Sequence, residues 1–220
     1  MRVLLAGFGP FPSAPFNPSG QLVKALARRR RPTLAGIERT AHVFATVYAA
    51  VDRDLPKLFA AKPDVVLIFG LAGRRRQLCI ETHARNAVSV LVPDASGYRP
   101  QSGVIVRSEP QSRRGNAPFT RLLRAARTRG FPARLSRDAG RYLCNYVYWQ
   151  ALWRSRDGAP LVAFVHIPAF RLSPQRKPGK RRSPSWPRLV NTAEALLVVL
   201  IAASRRRSAD RRQPRTLPRR

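Results

Sequence analysis

The stretch Asp64-Val65-Val66-Leu67-Ile68-Phe69, followed by Gly70-Leu71-Ala72-Gly73, decides the fold. An uninterrupted apolar run that begins after Lys62-Pro63 and ends in glycines is typical of a strand buried on both faces. Strands of this kind belong to parallel sheets that carry helices on both sides. The glycine-containing loop leaves the carboxyl end of the strand, where functional sites gather in such sheets.

Outward from this strand, the sequence alternates between strand-like and helix-like segments. We predict strands over residues 2–6, 40–47, 77–90 (a longer strand or a hairpin), 132–135 and 161–168. We predict helices over residues 18–27, with Asn17 as the cap and Pro18 at the first helical position, and over residues 51–61, 117–129 and 189–204, with one more helix carrying Cys144. This order predicts one three-layer α/β/α domain with a twisted, mostly parallel mixed sheet flanked by helices.

The domain is expected to occupy residues 1–204, and two further segments are predicted to be mobile. Residues 171–187 are rich in proline, serine and basic residues and follow His166, so we expect a flexible loop near the site. Residues 205–220 form an arginine-rich stretch with prolines, which predicts a disordered basic tail.

The charge balance is extreme, with 42 Lys and Arg residues against 11 Asp and Glu residues and a net charge of +31. One interpretation is a partner with an anionic surface, such as a nucleic acid. The other is an ordinary solvated surface in an arginine-rich chain, and the absence of aromatic residues between the arginines favours it. Either interpretation predicts non-specific binding to polyanions.

The chain has only two cysteines, Cys79 and Cys144, with no spacing typical of zinc ligands or of a disulfide framework. Free thiols suit a reducing compartment, so we expect a cytoplasmic protein. No secretion signal is evident, and the longest apolar run, residues 195–203, is far shorter than the ~20 residues that a membrane span needs. The glycine-rich segment at residues 7–12 lacks the third glycine of a dinucleotide fingerprint, so neither an organic cofactor nor a metal is expected.

Cys144 and His166 are the first candidates for catalysis. Cys144 follows Gly140 and lies in the first turn of a predicted helix, where free backbone N–H groups bias a thiol toward the thiolate. His166 ends a predicted strand just before a proline, from which an imidazole can take the proton of a thiol. The pair suggests a cysteine nucleophile with a histidine base.

Glu81 is the third candidate, because a carboxylate within an apolar segment needs a partner. It either forms a salt bridge with one of the many arginines or orients an imidazole. His83, two residues further along the predicted strand and on the same face, is a rival general base.

These motifs together resemble the pyroglutamyl peptidase I family of cysteine peptidases, over residues 2–204. The resemblance is carried by a glycine–phenylalanine start, a glycine loop with a glutamate block, a cysteine block and a histidine block: Gly7-Phe8-Gly9-Pro10-Phe11 with Asn17-Pro18-Ser19; Gly70-Leu71-Ala72-Gly73 with Glu81 and Asn86; Ser136 and Asp138-Ala139-Gly140 with Cys144-Asn145; and His166-Ile167-Pro168. All blocks occur in the family's order and at similar spacing.

The resemblance implies a phosphorylase/hydrolase-like fold and a peptidase that removes N-terminal pyroglutamate from peptides through a thioester acyl-enzyme. It implies that Cys144 is the nucleophile, His166 the base, and Glu81 the group that orients the imidazole. It further implies a ring pocket lined by Phe8, Phe11 and Tyr142, with backbone groups of Leu71 binding the lactam. Family members form homo-oligomers, so a dimer or tetramer is expected, without metal or organic cofactor and without membrane association.

The sequence departs from the family pattern where the family has an oxyanion-binding arginine, ten residues after the glutamate. Leu91 stands there, and Arg85 or Arg99 is a candidate replacement. Arg74 occupies the place of a usual glycine. Two alternatives therefore stay open: a divergent homologue with weak or no activity and a polyanion-binding surface, and a cysteine amidase for another small cyclic substrate.

Overall fold

The strands and helices of the computed structural model, which describes residues 1–11, 14–155, 159–169 and 185–212, follow the predicted alternation. The strands are β1 (Arg2–Phe8), β2 (Glu38–Phe44), β3 (Val65–Leu71), β4 (Leu78–Glu81), β5 (His83–Arg85), β6 (Ser112–Arg114), β7 (Ala133–Ser136) and β8 (Leu161–Ile167). The helices are α1 (Pro18–Arg28), α2 (Tyr48–Ala60), α3 (Phe119–Thr128), α4 (Leu143–Arg154) and α5 (Trp186–Arg212).

A six-stranded sheet in the order β2-β1-β3-β8-β4-β7 forms the centre of the domain. The pairs β2–β1, β1–β3, β3–β8 and β4–β7 are parallel, and only β4–β8 is antiparallel. β3 lies in the middle, and residues 65–70 are fully buried. The mostly parallel mixed sheet that the sequence predicts is therefore confirmed.

Helices cover both faces of the sheet. Apolar side chains of α1, α3 and α5 pack on one face, and those of α2 and α4 pack on the other. α1 begins as its sequence predicts, because the Asn17 side chain accepts a hydrogen bond from the Ser19 N–H at 3.1 Å and Pro18 occupies the first helical position.

The final helix, α5, is longer than expected at both ends. It starts at Trp186 and continues to Arg212, so the stretch from residue 205 to 212 is helical and not the predicted disordered tail. Arginine is a good helix former, so the exposed arginines at this end are compatible with a continued helix. Residues 213–220 lie outside the described residues, as does most of the predicted loop at 171–187.

α5 is also long and apolar enough to cross a membrane by composition alone, with a mean hydropathy of 1.4 over its most apolar window. In this fold, however, it supplies core residues: Leu189, Leu196, Leu197 and Leu200 are 0% exposed against the sheet and its neighbouring helices. The apolar character of α5 is thus accounted for by packing within the domain.

The segment at 77–90 differs from the long strand or hairpin that we predicted. The chain leaves the central sheet after Glu81, where Thr82 N–H donates to Ser136 O at 2.7 Å. The next residues form β5, which pairs with β6 in a separate two-stranded sheet. Glu81 and His83 therefore lie in different strands, and their predicted shared face does not exist.

Candidate active site

Glu81 and His166 meet across the antiparallel pair of β4 and β8. Glu81 lies opposite Phe164 and Cys79 lies opposite His166, so Glu81 and His166 are diagonal neighbours on one face. His166 Nδ1 donates to Glu81 Oε1 at 2.8 Å, and the two residues are 5% and 0% exposed. With Nδ1 engaged in this way, Nε2 is the imidazole nitrogen that is left to accept a proton.

Cys144 approaches this pair from the first turn of α4. A Cβ atom added at Gly70 would lie 2.8 Å from Cys144 Sγ, so the thiol rests directly on this glycine. Gly70 is in register with His166 on the neighbouring strand, and adjacent strands lie ~4.8 Å apart. The thiol and the imidazole therefore face the same small region at the carboxyl ends of β3 and β8.

The electrostatics of the thiol differ from the sequence-based expectation. Burial, with a smaller contribution from the charge of Glu81, raises the pKa of Cys144 to about 12, and the charge of Arg75 opposes this rise. The bias toward thiolate that the helix position predicts is thus outweighed. Reaction therefore requires a base to remove the thiol proton.

Arg75 is a member of this site that the sequence analysis did not single out. Its Nη1 donates to Glu81 Oε1 at 2.6 Å, and its Nη2 donates to Asp138 O at 2.8 Å. The two interpretations of Glu81 are therefore both realised, since the carboxylate forms an arginine salt bridge and also holds an imidazole. The sequence indicated that Glu81 needs a charged partner. It could not show which of the three consecutive arginines at 74–76 pairs with Glu81.

His83 lies apart from the Glu81–His166 pair. Its Nδ1 is 2.9 Å from Thr82 Oγ1, and it belongs to the small β5–β6 sheet. Burial lowers the pKa of His83, and the charges of Arg137 and Arg114 lower it further. Its candidacy as a rival base depended on sharing a strand face with Glu81, which the structure contradicts.

Cys79 is closer to the site than its sequence position indicated. It lies opposite His166 in the sheet, is 0% exposed, and its Sγ is 3.8 Å from Gln77 O. It shares its face of the sheet with Glu81 and His166. Its complete burial still separates it from any external reagent or substrate.

The predicted ring-pocket residues differ from one another in burial and in their neighbours. Phe8 is 2% exposed, with its ring 6.4 Å from that of Phe164, which in turn lies 4.9 Å from the His166 ring. Phe11 is half-buried and pairs through its backbone with Ala14. Leu71 is the half-buried last residue of β3.

Tyr142, the remaining ring-pocket residue, comes just before α4. Its hydroxyl donates to Pro93 O at 3.0 Å, and its ring stands edge-on to that of Tyr48 at 6.0 Å. It therefore joins the segment that carries Cys144 to the long loop after β5.

Leu91, which stands where the resemblance places an oxyanion arginine, has an apolar side chain and is 79% exposed. Arg85, one candidate replacement, has its Nε 3.6 Å from Asp138 Oδ1, and Arg99 is exposed on the loop. Among the described residues, no group of three or more His, Cys, Asp or Glu side chains could hold a metal ion.

Two further polar side chains organise the surroundings of the nucleophile. Asn145, which follows Cys144, accepts from Arg85 N–H at 2.8 Å and donates to the carbonyls of Arg85 and Ala87. Asn86 accepts from the N–H groups of Ile105 and Val106 and so anchors the long loop. These contacts explain why amides occupy both positions.

A three-layer α/β/α domain with a cysteine, a histidine and a carboxylate at the carboxyl ends of its strands has the arrangement of a cysteine hydrolase. Comparisons with known proteins make the class specific. The family model described as pyroglutamyl peptidase matches residues 1–206. The chain therefore belongs to the pyroglutamyl peptidase family, which comprises cysteine peptidases.

Individual relatives agree with this membership. The chain is 33% identical to a pyrrolidone-carboxylate peptidase of Chromobacterium violaceum, covering 80% of this chain and 82% of the relative. It is 30% identical to pyrrolidone-carboxylate peptidase 1 of Ralstonia nicotianae, covering 96% of each. A mutant pyrrolidone carboxyl peptidase from Pyrococcus furiosus superposes with a TM-score of 0.81 at 27% identity, covering 93% of this chain and 100% of that one. Pyroglutamyl peptidase I from Bacillus amyloliquefaciens gives a TM-score of 0.77 at 26% identity, covering 92% and 98%.

Proposed function

We propose that this protein is a cysteine peptidase that removes N-terminal pyroglutamate from peptides, with Cys144, His166 and Glu81 as its catalytic residues. The observation that carries the proposal is the hydrogen bond from His166 Nδ1 to the buried Glu81 carboxylate, beside a thiol that rests on Gly70. Membership in the pyroglutamyl peptidase family supports the same reaction.

In the first step, Cys144 Sγ attacks the carbonyl carbon that joins the pyroglutamyl ring to the next residue. His166 Nε2 takes the thiol proton as the sulfur–carbon bond forms, and Glu81 stabilises the imidazolium. The proton then passes to the leaving amine as the carbon–nitrogen bond breaks, which leaves a thioester. Water, activated by the same imidazole, releases pyroglutamate and restores the thiol.

The negative charge that develops on the carbonyl oxygen needs donors. The backbone N–H of Cys144 is free to serve, because the first N–H groups of a helix have no intrahelical acceptor. Leu91 supplies none, so a side-chain donor to the oxyanion must come from another residue, for which Arg85 and Arg99 are the candidates.

Recognition of the pyroglutamyl ring is assigned to Phe8, Phe11 and Tyr142, with backbone groups of Leu71 binding the lactam. A flat, uncharged ring suits an apolar slot with few hydrogen bonds. Support comes from Phe8, whose ring packs against that of Phe164, which in turn packs against the His166 ring.

Hydrolysis of a pyroglutamyl chromogenic amide tests this function, with Cys144→Ser as the control. We expect turnover by the parent protein and none by the variant. Comparable amides of proline and glutamine test the alternative of a cysteine amidase for another substrate. Preference for either of these over the pyroglutamyl amide would contradict the proposal.

A second property, polyanion binding, is favoured by one surface. Helix α3 contains no acidic residue, and its Arg121, Arg124 and Arg127 are exposed. α3 packs against α5, whose exposed end adds Arg205 and Arg206. We expect the protein to be retained on immobilised DNA, with retention that decreases as the salt concentration rises. Replacing the three α3 arginines by glutamine should reduce retention at every salt concentration.

Assembly and location complete the proposal. We expect a dimer or tetramer, because exposed apolar side chains at Val90, Leu91 and Val92 project from the loop after β5. The two free cysteines support a cytoplasmic location. Light scattering of the purified protein tests the assembly, and a monomer at micromolar concentration would contradict it.

A further inference from the structure

A single guanidinium group connects two parts of the site that are far apart in sequence. Arg75 Nη1 donates to Glu81 Oε1 at 2.6 Å, and Nη2 donates to the carbonyl of Asp138 at 2.8 Å. Asp138 belongs to the segment between β7 and α4, which leads directly to Cys144. Arg75 thus links the carboxylate that holds the base to the chain that carries the nucleophile.

The loop that presents Arg75 is itself tied to the strand of His166. Arg75 N–H donates to Ala72 O at 2.9 Å, and Ala72 N–H donates to Ile167 O at 2.9 Å. The arginine is therefore fixed at its backbone by β8 and at its head by Glu81 and Asp138. Its side chain is 25% exposed, so solvent screens these contacts only in part.

The two oxygens of the Glu81 carboxylate differ in their hydrogen bonds. Oε1 receives both the His166 and the Arg75 hydrogen bonds, whereas Oε2 has no hydrogen-bond partner within the described residues. A carboxylate that is 0% exposed is costly unless it is paired. The Arg75 contact is consequently the charge pairing that compensates the buried Glu81.

We infer that Arg75 is a positioning residue of the proposed peptidase, which pairs with the buried Glu81 carboxylate and holds the Cys144 segment against the Glu81–His166 pair. The inference rests on the proposed function and deepens it. An ionised Glu81 accepts the Nδ1 proton of His166 and leaves Nε2 as the base.

Several ionisable groups among the described residues face this centre besides His166, and Tyr48 and Tyr142 lie beside Cys144. Arg75 and Cys79 interact with each other, and Arg75 pairs with Glu81. Burial raises the pKa of Cys144, Glu81 raises it further, and Arg75 lowers it. Tyr148, whose hydroxyl donates to Glu81 O at 2.9 Å, has its pKa raised by burial and by Glu81 and stays neutral. Arg75 is therefore the positive charge that favours the reactive form of the thiol.

The test compares Arg75→Met, Arg75→Lys and, as a matched control, Arg76→Met, which alters an exposed arginine of the same loop. Two quantities are measured: kcat and KM on a pyroglutamyl amide, and the rate of Cys144 alkylation by iodoacetamide as a function of pH. The alkylation curve follows the charge around the thiol and does not depend on peptidase turnover. Thermal melting checks that each variant is folded.

For Arg75→Met we expect kcat to fall about 100-fold with KM nearly unchanged, because the reacting groups lose their alignment. The alkylation curve should move to higher pH by about one unit, since a nearby positive charge is lost. Arg75→Lys keeps the charge but not the two-armed contact, so its alkylation curve should match that of the parent while kcat falls about tenfold. Arg76→Met should match the parent in both measurements.

A folded Arg75→Met variant with the parental alkylation curve, or with a loss confined to KM, would overturn the inference. If Arg75→Met does not fold, Arg75→Lys decides, and parental kcat in that variant would equally overturn it. A parent protein that does not hydrolyse pyroglutamyl amides would refute the proposed function, whereas the alkylation curves would still decide whether Arg75 controls the charge at Cys144.

Discussion

Gly70→Ala is expected to displace the proposed nucleophile directly. The added Cβ would lie 2.8 Å from Cys144 Sγ and 2.8 Å from Phe164 Cζ. Unstrained contacts between such atoms are about 3.5–4.0 Å, so the overlap is close to 1 Å on both sides. Either the Cys144 thiol or the Phe164 ring must therefore move.

Phe164 has little freedom to move. It is 0% exposed, and its ring packs 5.5 Å from Tyr148 and 4.9 Å from His166. The thiol, at the half-buried start of α4, is the atom that shifts. Overpacking of this kind costs about 1–3 kcal/mol of unfolding free energy. Displacing the nucleophile by roughly 1 Å lowers kcat about 100-fold.

Gly73→Ala is the matched control, since a Cβ at Gly73 meets nothing within 4 Å. Urea unfolding and steady-state hydrolysis of a pyroglutamyl amide give the two quantities for each variant. We expect Gly70→Ala to be impaired in both and Gly73→Ala to keep the parental unfolding midpoint. Equal behaviour of the two variants would refute the claim that the thiol rests on Gly70.

Three further predictions concern individual side chains. Cys144→Ala should abolish turnover and inactivation by iodoacetamide, whereas Cys79→Ser should remain sensitive to the reagent because Cys79 is 0% exposed; peptide mapping of the labelled protein identifies the cysteine. His166→Ala should remove the rate while His83→Ala retains it, as measured by kcat, and the reverse pattern would reassign the base. Leu91→Arg should raise kcat about tenfold, worth ~1.4 kcal/mol, with little change in KM, because the gained contact forms mainly in the transition state; an unchanged kcat would show that no side-chain donor is needed there.

The sequence was sufficient for those parts of the fold that depend on local pattern. β3 follows from an unbroken apolar run, and α1 follows from an asparagine cap with proline at the first helical position. The positions of Cys144 and His166 at element ends were predictable for the same reason, since both element boundaries carry local signals.

Features that depend on partners distant in sequence were not predictable. The break between β4 and β5 arises because β4 pairs with β7 and β8, whereas β5 pairs with β6. Arg75 was hidden among adjacent arginines, and only the folded loop decides which of them reaches Glu81. The contact of Gly70 with the thiol likewise exists only once α4 has packed on the sheet.

The central claim is that Cys144 becomes acylated by the pyroglutamyl group, and intact-protein mass spectrometry of acid-quenched reactions tests it most directly. The account predicts a mass increase of one pyroglutamyl group on the parent protein during turnover, located at Cys144 by peptide mapping and absent from Cys144→Ala. Turnover by Cys144→Ala, or a pyroglutamyl group attached to any other residue of an active parent, would contradict it.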